Sequence, residues 1–283
     1  MTTIKNEYLT VMFKSKGAEI ASVKNCEGKE YIWCGDPDVW AGQTPVLFPI
    51  CGGLMNDKFS VNGKEYTLEK HGFARHMEFE CERAEENEVV FCLKDTPETL
   101  KQYPFHFEFR IIYTLSGKSI KVTYETKNLN NETMYFSVGG HEGYSCPEGI
   151  EEYSICFDKP QTLERVVLNG NYLSDKTKRV ITDSDTLPLK YDYFESDALV
   201  FKNVEFEKAA LVKNDGTSRI EVNFPGHKYF LIWTKPGAKY ICLEPWCGIP
   251  DGENAGGEIS RKEGIISVAT GEISTVYHTI NFD

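Results

Sequence analysis

The chain alternates. Residues 105–113, FHFEFRIIY, put Phe105, Phe107, Phe109, Ile111 and Tyr113 on one side of an extended backbone. Residues 119–126 do the same with Ile120, Val122 and Tyr124, and residues 218–224 with Ile220, Val222 and Phe224. A period of two predicts strands with one buried face. Further runs rich in aromatic and β-branched residues cover 77–81, 88–93, 153–157, 198–203, 229–234, 239–243 and 273–280. Asn62-Gly63 stands between FSV and KEYTL, a strong short-range hairpin signal. Ser116-Gly117 and Asn214-Asp215-Gly216 separate other strand pairs. Only 96–102, TPETLKQ, reads as helix, with Thr96 as cap and Pro97 at the first position. Strands are not separated by helix-length segments, which argues against a doubly wound α/β fold. There is no repeat, low-complexity tract or linker, and the turn-rich stretch 247–264 reads as a loop over one end of the sheets. The prediction is an all-β chain with very few short helices, a single domain over 1–283 built as one large antiparallel β-sandwich.

Composition narrows the partners. Lys plus Arg number 31 and Asp plus Glu 43 in 283 residues, a formal net charge of −12. Such a chain has no basic footprint for nucleic acid and no attraction to an anionic membrane surface. The most apolar run, PVLFPICGGLM, is too short to span a bilayer. The first twenty residues contain no continuous apolar stretch of signal-peptide type, and nine cysteines are an odd number. The expectation is a cytoplasmic protein, a monomer or weak homodimer, whose cysteines are buried free thiols. No two cysteines have C-x-x-C spacing and no histidine lies near them at zinc-ligand spacing. No metal site or cofactor motif is expected: G-x-G-x-x-G after a strand, the phosphate-loop pattern and the G-x-S-x-G elbow are all missing.

Four segments look unlike scaffold. Residues 69–75 put His71 and Arg75 around a glycine in an expected loop, a clamp for a polar ligand or an incidental solvated turn. In 137–147, His141 follows Gly139-Gly140 and precedes Gly143, where close approach of a ligand is open to it. A histidine so placed is an acid–base candidate, because it titrates near working pH. In 239–248, Glu244 ends an apolar strand and Pro245 is expected to stop the ladder. A carboxylate in an apolar wall is a candidate base. Trp246 beside it offers an apolar platform for a sugar ring. In 191–201, Asp197 precedes an apolar strand, with Asp192 and Glu195 competing for the same hydroxyl-binding role.

Taken in chain order, these blocks resemble the aldose 1-epimerase (galactose mutarotase-like) family, especially its shorter LacX-like branch. The resemblance runs from PVLFPICGG and FSVNGKEYTLEKHGFAR through VGGHEGYSCP and DALVFKN to YICLEPWCGIPD. It implies a β-supersandwich and a monosaccharide substrate whose α and β anomers are interconverted. It implies Glu244 as base on the C1 hydroxyl and His141 as acid on the ring oxygen. His71 and Asp197 then match the family's sugar-contacting histidine and aspartate. The longer galactose mutarotases carry an Asn-Arg pair where this chain reads CGGLMNDKF without an arginine, and Arg75, on the other side of the hairpin, is expected to supply that charge. Two other classes stay open on the residues alone. One is a glycoside hydrolase on the same fold using Asp197 and Glu244 as its carboxylate pair. The other is a carbohydrate-binding or sensing protein without turnover.

Overall fold

The computed structural model describes residues 1–283. It contains 22 strands, five single 3₁₀ turns and one α-helix, Pro97–Gln102. That helix starts as its sequence predicts. The Thr96 side chain accepts from the Thr99 N–H, and the Thr99 side chain closes a reciprocal cap. No helix is long and apolar enough to cross a membrane.

Fifteen strands form one sheet, with antiparallel pairing throughout. One end is Val46–Leu47, followed by Gly139–Gly140, Tyr240–Trp246, Tyr229–Trp233 and Leu199–Lys202. The sheet continues through Tyr153–Asn169, Lys208–Lys213, Arg219–Asn223, Ile273–Phe282, Ser119–Asn128 and Phe107–Ser116 to Glu88–Lys94 and Glu80–Ala84. It closes over its own face. Phe48, at one end, stacks on Phe109, near the other, with ring centroids 4.2 Å apart. Glu142, beside Tyr240–Trp246, bonds His278 of Ile273–Phe282 at 3.0 Å. Contacts between strands so far apart in sheet order require two packed layers. Between them lies a core of 60 buried residues running from Ile4 to Phe282. The supersandwich expectation is met.

The alternating segments form the strands they predict. Phe107–Ser116 buries every second residue and pairs Ser119–Asn128 in unbroken register. Asn62 and Gly63 both take positive φ, 51° and 78°, in the two-residue turn between Lys58–Val61 and Lys64–Thr67.

Three expectations are corrected. The run 153–157 is only the start of a 17-residue strand, Tyr153–Asn169, which pairs the equally long Tyr172–Pro188 around a turn at Gly170 and Asn171. Much of this hairpin faces solvent and its register shifts four times, so no alternating pattern marks it. Pro245 does not stop its strand, which continues to Trp246 with Pro245 opposite Phe230. Finally, not all cysteines are buried. All nine are free, but Cys26, Cys34 and Cys81 are exposed. Cys81 lies on the sheet edge Glu80–Ala84, where every residue is exposed.

Candidate active site

The strand Tyr240–Trp246 divides the molecule's chemistry. Ile241 and Leu243 point into the main core. Tyr240, Cys242, Glu244 and Trp246 lie on the opposite face, as a period of two requires. On its far side this strand pairs Leu243 with Glu142 and Trp246 with Gly139. Between those two pairs the ladder opens. Pro245 has no N–H to give, and Gly140-His141 leaves the pairing. The gap lets the His141 ring turn to Glu244, with Nε2 3.4 Å from Oε2.

The glycines around His141 serve a different purpose from the one expected. A Cβ on Gly139 would lie 2.5 Å from Trp246, one on Gly140 2.4 Å from the Glu142 carboxylate, and one on Gly143 2.8 Å from Trp40. They make room for the protein's own side chains, and none of the three takes a positive φ.

All five expected residues, His71, Arg75, His141, Asp197 and Glu244, line one cleft of about 290 Å³. Asp192 and Glu195 do not reach it. His71 sits at φ 70° beside Gly72 at φ 66°, where a Cβ would strike Phe48 O at 2.4 Å. Asp197 also lies in the left-handed region, at φ 86°, an arrangement costing about 1–3 kcal/mol. Its Oδ1 accepts the Ala198 N–H at 2.8 Å, and its Oδ2 is 3.8 Å from Lys70 Nζ. Arg75 has no carboxylate partner at salt-bridge distance; Nη2 donates to Lys70 O at 2.8 Å and Nε to His76 Nε2 at 3.0 Å.

Electrostatics follows burial. Glu244 is 1% exposed, and burial pushes its carboxyl well above the usual range, helped by the Asp197 and Glu142 carboxylates. Burial pulls His141 down to about 3 and His71 well below its ordinary value. His71 is therefore neutral. Its Nδ1 accepts the Gly52 N–H at 3.1 Å, so its proton is on Nε2.

Sequence reading missed part of the wall. Trp40 stacks on His141 at 5.3 Å and on Tyr240 at 5.0 Å, and Trp233 meets His141 edge-on at 5.6 Å. Trp40 lies in an irregular loop and carries no pattern that could flag it. Leu168, Gly170 and Asn171 enter from the tip of the long hairpin. Trp246, expected as the sugar platform, is only 2% exposed and is held by a bond from Nε1 to Gly140 O at 3.0 Å. The half-buried rings of the wall are Trp40 and Trp233.

Comparison with known proteins supplies the family. The aldose 1-epimerase family model matches residues 1–272. The chain belongs to the aldose 1-epimerase family. The plasmid protein LacX of Lactococcus lactis subsp. lactis is 34% identical, over 94% of this chain and 93% of that protein. A galactose mutarotase related enzyme from Lactobacillus acidophilus is also 34% identical and superposes with a TM-score of 0.94, over 99% of this chain and 96% of the other. A galactose mutarotase-like protein from Lactobacillus casei gives the same TM-score at 25% identity, over the whole of both chains. An aldose 1-epimerase acts on small sugars, and this cleft has the size, aromatic wall and converging polar groups that such a ligand needs.

Proposed function

We propose that the protein is an aldose 1-epimerase acting on a free aldohexose, with Glu244 as base and His141 as acid. The observation that carries this reading is the 3.4 Å approach of His141 Nε2 to Glu244 Oε2 at the floor of the cleft. The C1 hydroxyl and the ring oxygen of a pyranose are bonded to one carbon. A base and an acid standing side by side therefore reach both from one edge of the sugar. Ring opening takes the proton from the C1 hydroxyl and gives one to the ring oxygen. The C1–O5 bond breaks, its electron pair stays on O5, and the C1 oxygen becomes the aldehyde. Rotation about C1–C2 and reclosure by the reverse transfers complete the exchange.

The environment suits this chemistry. Burial disfavours a separated negative charge on Glu244 and a separated positive charge on His141. The pair holds one proton, which rests on Glu244 in the neutral form; its transfer to His141 leaves Glu244 as base and His141 as acid without changing the net charge of the pocket. His71 offers its Nε2–H to a sugar hydroxyl. Asp197, with Oδ1 already held by Ala198, accepts hydroxyls through Oδ2. Arg75 donates to the sugar from the rim, and Trp40 and Trp233 cover its apolar face.

Polarimetry or anomer-resolved NMR on freshly dissolved glucose and galactose tests this reading. Wild-type protein is expected to accelerate equilibration, and E244Q and H141N each to lose about 10²–10⁴-fold. Wild-type rates equal to buffer across a panel of free aldoses would overturn it. Release of reducing ends from oligosaccharides would move the assignment to glycoside hydrolysis.

A further inference from the structure

One juxtaposition, formed by two cleft residues and a third buried behind them, is not used by epimerisation. Cys242 stands two residues before Glu244 on the same face of one strand, and His141 reaches both from the neighbouring chain segment. A donor atom from each lies within 4.8 Å of the other two. Sequence spacing does not reveal the group, because His141 is about a hundred residues from the other two. Cys242 is fully buried, and the His141 and Glu244 side chains are only 12% and 2% exposed.

We propose that His141 Nε2, Cys242 Sγ and a Glu244 carboxylate oxygen form an inhibitory site for a thiophilic divalent cation, with Zn²⁺ the expected ion. Three protein ligands with a fourth position open to the cleft is the arrangement zinc takes where it also binds water. The separations fit. Zn–N and Zn–O bonds of about 2.0–2.2 Å at a tetrahedral angle place the two ligand atoms about 3.4 Å apart. The His141–Glu244 distance is 3.4 Å as it stands. Cys242 Sγ lies within 4.8 Å of both. A thiolate selects zinc over magnesium or calcium, which prefer oxygen. The ion enters through the cleft that His141 and Glu244 line.

Binding displaces two protons to solvent, the Cys242 thiol proton and the one shared by His141 and Glu244. Affinity must therefore rise with pH. Occupancy removes both the acid and the base, so the ion and the sugar exclude each other. This inhibitory consequence rests on the epimerase reading; the binding itself does not.

Co²⁺ titration of the full chain, with Zn²⁺ as competitor, tests the site. The expected result is one equivalent of Co²⁺ giving visible d–d bands and a near-ultraviolet thiolate-to-metal band, both bleached by Zn²⁺. Losing an outer-shell partner alone costs about 10–100-fold in metal affinity, so losing the thiolate in C242A should cost more than about 100-fold. C242A should keep anomerisation while losing Zn²⁺ inhibition, and circular dichroism checks its fold. H141N provides a second variant that leaves the thiol in place and should also abolish the band. A wild-type protein with no thiolate band, or a band that survives unchanged in C242A and H141N, overturns the proposal. Should wild type prove inactive on every aldose, the spectra still decide the metal site separately from the epimerase reading.

Discussion

The Gly52 N–H donates to His71 Nδ1 across 3.1 Å, on a histidine that is 7% exposed. This bond sets which ring nitrogen is left free to face the cleft. H71Q, which keeps an N–H near the Nε2 position, should retain more activity than H71A. H71A removes the donor and strands the Gly52 N–H. The unpaired N–H should cost about 1–3 kcal/mol of stability, and the lost ligand hydrogen bond, worth about 1–1.5 kcal/mol, should lower kcat/KM by about tenfold. Kinetics on both variants check the order; equal activity would mean that His71 contributes no directed hydrogen bond.

Glu142 and His278 pair at 3.0 Å inside the sandwich, 3% and 0% exposed. Removing one partner leaves the other's buried polar group unpaired and costs about 1–3 kcal/mol. E142A and H278A should each lower the unfolding free energy by that order, read as a lower urea midpoint at unchanged slope. Replacing both with apolar residues of similar volume should recover most of the loss. G140A should destabilise for a related reason, since its methyl group enters the space of the Glu142 carboxylate.

Much of this was legible in the sequence, and the exceptions have physical causes. The main sheet could be read because Phe107–Ser116, Ser119–Asn128 and Arg219–Asn223 each bury one face only. Asn62-Gly63 and Thr96-Pro97 mark their turn and helix because those residues suit a positive φ and a first-turn cap. The long hairpin Tyr153–Asn169 and Tyr172–Pro188 was illegible because it is mostly solvated and bulged. Its tip nevertheless delivers Asn171 to the cleft. Glu244 and His141 stood out by their local settings, but their 3.4 Å approach depends on the ladder opening at Pro245, which looked like a strand end. Trp40 was missed because a loop aromatic has no periodicity.

Stability should fall on mild acidification. His227 is 5% exposed, its Nδ1–H donates to Phe224 O at 3.1 Å, and burial pulls it down to about 4, with nearby His278 adding to the shift. The unfolded chain takes up this proton below about pH 6.5. The native state declines it until about 4. Native stability is therefore full above 6.5 and decreases through that window, by up to about 3 kcal/mol from this group. His71 and His141 act with the same sign, while Glu244, whose carboxyl burial raises, acts with the opposite one, so the fall is read as the difference between wild type and a His227 variant. Urea unfolding at about pH 7 and about pH 5 should separate wild type from H227Q, whose stability should change less between the two. An identical pH slope in H227Q would remove His227 from the account.

Lys262 Nζ meets Asp251 Oδ1 at 2.6 Å and Ile249 O at 2.8 Å, with both side chains at most 6% exposed. The other Asp251 oxygen accepts the Met55 N–H at 2.9 Å. This clip fixes the segment 249–251, whose Pro250 lines the cleft and packs so tightly on Gly52 that a Cβ there would lie 2.3 Å from its ring. Gly52 in turn orients His71. K262M leaves a buried carboxylate without its cation and should cost about 3–5 kcal/mol. Because the clip acts on the wall and on His71 rather than on His141 and Glu244, the surviving folded enzyme should show a raised KM with a smaller change in kcat. Thermal unfolding and sugar-concentration kinetics on K262M check the two parts. A lowered midpoint with unchanged KM would confine the clip to stability, and an unchanged midpoint would contradict the buried pair itself.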